Sequence, residues 1–510
     1  MATYPIALFP TPFPPTPLPT LPLRLLLTHP RPLDLARDRR IGRDHSSTFV
    51  IPLCYFFFVM GTEEEQQQWV VDMCNRIADT DISPETEKRY WSKHSIYRVP
   101  SHIKNLNRDA YSPQVVSFGP FHHGEPHLRP MEEHKQRALM HFVKRVKVRF
   151  DDLAAAMYEE VQQLQDAYQK LDEVFINEDR FVKLMIVDGC FMLEVMRETA
   201  YLAGNYASND PIFSRHGLLY IFPCIRSDML IIENQLPLLL LKKLVAVETG
   251  QPPNGDRINR LVLEFLATAS QPLAAGVGMG LHPLDVFRKS MLLQSPPRCS
   301  RPLTDAELAS SHIIRPAVEL YEAGLRFKKS ETQSLRDIQF SHGVLSLPVI
   351  MVDDGTEYMF LNLMAFESLH IDAGAEVTCY MYLMTGIINS AKDVSLLNSQ
   401  GIIRHLIESD KAVAEMFNRL SKDLVLDPES SLDDVHRMVS SYRQKPWRRL
   451  RANLVRTYAY FRSPLAAVPL AAASILLFLT IMQTVYTVLS YYQQNNFSSG
   501  PPPPSPPSLH

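Results

Sequence analysis

Beyond Asp434 the chain carries no acidic residue, and the seven cations from Arg443 to Arg462 lead straight into an uncharged apolar stretch. From Pro469 to Leu489 the sequence PLAAASILLFLTIMQTVYTVL has no ionisable side chain. At about 1.5 Å of rise per residue, a helix of this length reaches the roughly 30 Å of a bilayer core. It is therefore read as a transmembrane helix over residues 463–492, and everything before it as a body tethered at its C-terminal end. Pro469 suits the first turn of such a helix, and Tyr486, Tyr491 and Tyr492 suit its far interface.

Arg443, Lys445, Arg448, Arg449, Arg451, Arg456 and Arg462 form a basic juxtamembrane segment, 441–462, while no Lys or Arg follows the span. Short basic flanks stay on the cytoplasmic side, so a single-pass protein with a cytosolic body is expected, with the plasma membrane as the candidate membrane. The short Pro-rich tail, 493–510, would emerge on the other face. The same cations could also hold anionic lipid, each contributing about 1 kcal/mol near the surface. Gln483, and the small residues Ser463, Ala467 and Ala471 at spacing four, leave homo-oligomerisation through the anchor open.

With 46% hydrophobic residues, 21% charged residues and a net charge of -3, the chain has the composition of a folded protein and no electrostatic reason to bind nucleic acid. Its six cysteines, Cys54, Cys74, Cys190, Cys224, Cys299 and Cys379, show no CxxC pair and no partnered histidine spacing. That argues against a disulfide framework and a zinc site, and for reduced, mostly buried thiols. One glycosylation sequon occurs, Asn496-Phe497-Ser498, beside the span, which agrees with a cytosolic body.

Residues 1–60 read differently. Proline crowds the chain up to Pro32, precluding regular helix or central strand, so disorder is expected there. A basic patch, Arg37 to Arg43, precedes the apolar run Phe49 to Met60, too short to span and similar to the core of a signal peptide. A secreted body would contradict the basic flank at the other end. Met60 as the true start and an organellar transit peptide are the other two readings of this extension.

The body, 61–440, is patterned mainly for helices. Pro130 with Glu132 and Glu133 marks a helix start, and Leu139, Phe142, Val143, Val146 and Phe150 recur at three and four. Further helices are expected over 152–171, 181–196 as a central core helix, and 228–247, divided or kinked at Pro237. The stretch 249–302 reads as a loop-rich insertion, able to join two lobes. Helices are then expected over 304–325, 363–370, 377–388, 402–420 and 432–442. Val344 to Val352, the turn Asp353-Asp354-Gly355-Thr356, and Glu357 to Leu361 read as a hairpin. The expected fold class is mostly α: a large helical body with a small β-hairpin element and one C-terminal transmembrane helix.

Five segments carry a resemblance: IYRVPSHIKNLNRDAYSPQVVSFGPFHHGEPHLRPMEEHKQRAL (96–139), VDGCFMLEVM (187–196), LIIENQLPLLLLKKL (230–244), ELYEAGLRFKK (319–329) and the stretch VIMVDDGTEYMFLNLMAFE. In this order they resemble the plant domain-of-unknown-function 247 family over about 91–460, and the C-terminal anchor is usual there. The resemblance implies a plant membrane protein with no established enzymatic activity, some relatives being implicated in pollen and stigma self-recognition in grasses. Residues 1–60 depart from the family pattern.

Chemistry decides among the candidate sites. His122, His123, His127 and His134 with Glu125, Glu132 and Glu133 could hold Zn²⁺ or exchange protons. Without an HExxH spacing, and with Gly119-Pro120 and Gly124-Glu125-Pro126 around them, a structural turn before the helix at Pro130 is the preferred reading. Asp188 and Glu233 lie in apolar runs and could act as paired carboxylates. A buried polar network with Asn234, Gln235, Arg180 or Arg226 is preferred. Asp353 and Asp354 read as turn residues. Gly276, Gly278 and Gly280 lack the Lys and Ser/Thr of a phosphate loop, and no GxSxG elbow occurs. No catalytic, cofactor-binding or metal residue is assigned, no cofactor is expected, and the chain is read as a non-enzyme whose partners are the bilayer and an unidentified protein.

Overall fold

A computed structural model of the chain describes residues 63–79, 83–198, 206–266, 278–293, 314–423, 432–444 and 464–497. The Pro-rich start, Met60, the basic stretch 445–463 and the tail beyond 497 lie outside the described residues. The chain divides into two units, Met1–Asp81 and Ile82–His510. In the first, α1 (Glu63–Asp79) follows an acidic start and leaves Trp69, Val70, Val71 and Ile77 exposed.

The second unit is built around a single apolar cluster. Helix α2 (Arg129–Val146) begins with Pro130 in its first turn, as the sequence predicts. It packs along α4 (Glu178–Glu198), and α3 (Phe150–Tyr158) packs against α4 as well. The expected helix over 152–171 is thus broken, with a separate short helix at Val161–Asp166. Helix α4 is the central core helix expected from its all-round apolarity, with Phe181, Met185, Phe191, Leu193 and Val195 fully buried. A Cβ on its Gly189 would lie 2.6 Å from Leu244 Cδ1, so glycine permits α6 (Leu238–Thr249) to approach closely. Before α6, the expected run 228–247 is divided: α5 (Phe222–Asp228) ends ahead of a non-helical segment that runs to Pro237.

Two helices occupy the stretch read as a loop-rich insertion, α7 (Gly255–Leu266) and α8 (Pro283–Met291). Ile258, Val262 and Phe265 recur at helical spacing and are buried, so the Pro and Gly clusters mark the ends of α7 rather than a loop through it. Residues 267–277 and 294–313 lie outside the described residues, and of the helix expected over 304–325 the described part holds a short one, Ala317–Glu322.

Strands are short. β1 (Arg326–Lys329) pairs in parallel with β3 (Val344–Leu347), and β2 (Gln339–Ser341) pairs with β3 antiparallel. A small hairpin is therefore present, but it turns at His342-Gly343, both with positive φ, 49° and 85°. The hairpin expected around Asp353-Gly355 does not form. Glu357 to Leu361 instead lies in α9 (Thr356–Leu369), where Phe360, Leu361, Leu363 and Phe366 enter the core. β4 (Ile350–Val352) pairs in parallel with β5 (Ile403–His405).

Beyond α9 come α10 (Glu376–Ile387), α11 (Ala391–Ser399), α12 (Asp410–Leu420) and α13 (Asp433–Gln444). The helix expected over 402–420 starts only at Asp410, because Ile403–His405 is claimed by the sheet and Ser409 caps α12 through Ala412 N. Helix α11, absent from the sequence reading, opens with a capping box made by Ser390 and Asp393. The chain ends its described part in α14 (Pro464–Phe497), within which Ala472–Gln493 is long and apolar enough to cross a membrane.

Candidate functional site

Residues 113–120 belong to no helix or strand, yet lie over the core with Val116 and Phe118 fully buried. Their backbone groups need partners, and side chains supply them. Asp228 accepts from the N–H groups of Gln114, Val115 and Val116 at 2.8, 2.8 and 2.9 Å. Asn234 accepts from Phe118 N at 2.6 Å and donates to the carbonyls of Val116 and Asp228 at 3.0 Å. Asp188 accepts from Gly119 N at 2.8 Å. Gln235 donates to the carbonyls of Met229 and Ile231, both at 2.7 Å, and accepts from Leu284 N at 3.0 Å. The motif ENQLP thus acts as a polar template on which the preceding chain is laid.

Asp188 and Glu233 do not pair with each other. Asp188 takes Lys135 Nζ at 2.8 Å, and that lysine, with no exposed surface, also meets Glu132 at 2.6 Å and Ser117 at 3.1 Å. Burial raises the Asp188 carboxyl above the usual carboxylate range against the pull of Lys135. Glu233 accepts from Val99 N and Lys104 Nζ, each at 2.7 Å. Burial acts to raise Glu233, but His122 and Lys104 outweigh it and hold the carboxyl below its ordinary value. Burial likewise raises Asp228, opposed by its three backbone donors.

The histidines diverge. His122 is buried between two carboxylates, Nδ1 at 2.7 Å from Glu125 and Nε2 at 3.2 Å from Glu233, the second off the line of a hydrogen bond. Only Nδ1 therefore has a hydrogen-bond partner, while Nε2 meets Glu233 as a close ion-pair contact. His123 sets its ring edge against Phe175, His127 Nε2 meets the Pro113 carbonyl at 2.9 Å, and His134 Nδ1 accepts from Arg137 at 3.1 Å. The sequence reading kept the histidine loop apart from Glu233; the fold joins them through His122. Of the partners suggested for the buried acids, Asn234 and Gln235 belong to the network, whereas Arg180 is exposed and Arg226 donates to the Phe265 carbonyl.

Among the described residues no group of three His, Cys, Asp or Glu side chains has the disposition of a metal site. Asp353 accepts from Gly355 N and Thr356 Oγ1 in the turn that leads into α9, as a turn residue would. Gly278 and Gly280 are bridged by Asn259, which donates to the Gly278 carbonyl at 2.6 Å and accepts from Gly280 N at 3.1 Å, while Gly276 lies outside the described residues.

Sequence reasoning missed three features. Lys135 is one: it lies in phase with Met131, Ala138 and Phe142 on the buried face of α2, and that phase, opposite an acid in an apolar run, is the signal that marks it. Glu194 of α4, bound by Arg145 of α2, is another; the third is Glu248 of α6, bound by Arg197 of α4. Arg145, Arg197 and Glu248 line a groove of about 710 Å³ together with Arg257, Arg260 and Glu264.

Around 113–120 and 228–235 the described residues form a hydrogen-bonded scaffold. The family model described as a plant protein of unknown function, DUF247, matches residues 96–479. The chain belongs to the DUF247 family. It is 30% identical over 424 residues to UPF0481 protein At3g47200 of Arabidopsis thaliana, covering 78% of this chain and 86% of that one. It is also 24% identical over 521 residues to putative UPF0481 protein At3g02645 of the same plant, covering 84% and 96%. No solved structure matches. The template residues 228–235 and the loop 113–128 both fall inside the DUF247 match.

Proposed function

We propose that this DUF247 protein is a single-pass, membrane-anchored, non-enzymatic component of recognition or signalling, its body on the cytosolic side. The observation that carries the reading is the apolar helix Ala472–Gln493, whose side chains all stand away from the body, 0% of the span being buried. An apolar surface of that size is costly in water and stable in lipid. Cations before the span and none after it support the orientation. The buried acids that could have been reactive carboxylates serve the hydrogen-bond network over 113–120, which supports the non-enzymatic reading, and confinement to a surface raises the effective concentration of any partner held there.

Extraction of plant-expressed membranes with alkaline carbonate tests the anchor. The full chain is expected in the pellet and a chain ending at Gln444 in the supernatant. A glycosylation reporter placed between residues 267 and 277 tests sidedness and should remain unmodified. Release of the full chain overturns the anchor, and a modified reporter overturns the cytosolic body.

A further inference from the structure

We propose that the membrane helix is itself a recognition surface: Ala473, Leu476, Thr480, Gln483, Thr487 and Ser490 form a seam through which two copies of this chain pair in the bilayer. The inference rests on the reading of α14 as a membrane span and names the partner that reading leaves open.

The six positions are separated by three, four, three, four and three residues, the a and d spacing of a left-handed helix pair. Thr484 flanks the seam. The opposite faces present Ile475, Phe478, Ile481, Val485, Val488 and Leu489, all exposed and all suited to lipid. Of the Ser, Thr and Gln side chains between Ala472 and Tyr491, only Ser474 lies off the seam and its flank, and the one tyrosine, Tyr486, borders the seam on its other side. A span selected for lipid contact alone has no reason to gather its polar groups on one face.

The hydroxyls are partly satisfied within the helix. Thr480 donates to the Leu476 carbonyl and Thr487 to the Gln483 carbonyl, each at 2.8 Å, and Ser490 donates to Tyr486 at 3.0 Å. Gln483 is not: its carboxamide, two donors and an acceptor, has no hydrogen-bond partner among the described residues. It lies 11 residues from Ala472 and 10 from Gln493, at mid-depth of the span. An amide there lacks water and is costly to leave alone.

A second copy supplies what is missing. In a parallel two-fold pair, the d-position Gln483 of one copy meets the Gln483 of the other, each N–H donating to the opposite carbonyl oxygen. The amide is its own complement, and the small neighbours Ala473, Thr480, Thr487 and Ser490 allow the backbones to approach. Both copies insert with the same orientation, so the pair is parallel. A single polar layer also selects one register out of the several that the spacing permits. No other span among the described residues is available to cover the seam from within the chain.

The test uses full-length protein bearing donor or acceptor dyes on the body, reconstituted in phosphatidylcholine vesicles over a range of protein-to-lipid ratios. Energy transfer should rise to the plateau of a dimer. Gln483→Leu should move half-association to a ratio about threefold to tenfold higher, with Gln483→Asn between the two, while Met482→Leu on the lipid face changes nothing. Carbonate washing of the same vesicles separates the two layers of the argument. A chain that stays embedded but shows no transfer overturns the seam alone, as does a Gln483→Leu variant that associates like the wild type. A chain that washes off overturns the span and the seam together.

Discussion

Asn234 has no exposed surface and uses its carboxamide in both senses, accepting from Phe118 and donating to Val116 and Asp228. Asn234→Asp keeps the shape and removes the donors, setting a carboxylate against two carbonyl oxygens. A loss of about 3 kcal/mol or more is expected, read as a lower urea midpoint at unchanged slope. His282 predicts a pH dependence. It is fully buried, its Nε2 donates to the Ser95 carbonyl at 3.0 Å, and its Nδ1 accepts from Asp285 N, a set that only the neutral ring satisfies. Burial depresses its pKa from 6.5 to about 4, with Asp285 opposing and His370 and Lys289 assisting. The unfolded chain therefore takes up a proton that the folded chain refuses. Stability from this residue is complete above about pH 6.5 and falls as pH drops through the window, by about 3 kcal/mol near pH 4. His282→Asn, which retains a capping acceptor, should flatten that limb of the curve. At this scale the sequence was half legible. Asp188 and Glu233 announced themselves as acids in apolar runs, but their partners lie 53 and 129 residues away, and nothing local points to Lys135 or Lys104.

Elements were legible where caps and periodicity agreed, as at Pro130 and along α4, and illegible where a partner strand decided the outcome. The stretch from Val344 to Leu361 shows this. Local patterning favoured an Asp-Gly hairpin, yet β4 finds β5 across 50 residues of chain, and Thr356 onward has enough apolar surface for a core helix. The true hairpin turns at Gly343, whose φ of 85° strains any L-residue and whose added Cβ would lie 1.8 Å from Tyr442 Oη of α13. Gly343→Ala should therefore both strain the turn and displace α13 from β2. The expected signature is a loss of about 2 kcal/mol or more, with faster amide exchange in 339–347 and 433–444 ahead of the rest of the body.

For the whole molecule, the core and the C-terminal apolar helix differ in what covers them. Apolar residues of the body converge on one cluster, whereas the side chains of Ala472–Gln493 remain exposed along the entire span. The helix Ala472–Gln493 was legible in the sequence because what makes it long and apolar enough to cross a membrane is local, length and absence of charge, with no distant partner to find. The body's architecture was not, because its buried acids, its divided helices and its parallel strand pairs depend on contacts between remote segments. This separation makes a prediction about deletion. Since no described side chain of the span is buried against the body, a chain ending at Gln444 loses no core contact that the described residues reveal. Its thermal midpoint in detergent should match that of the full chain, and circular dichroism should differ only by the helix removed. A clear drop in the midpoint would mean that the segment after Gln444 folds back and completes the body, and the tether would then have to be regarded as part of the fold.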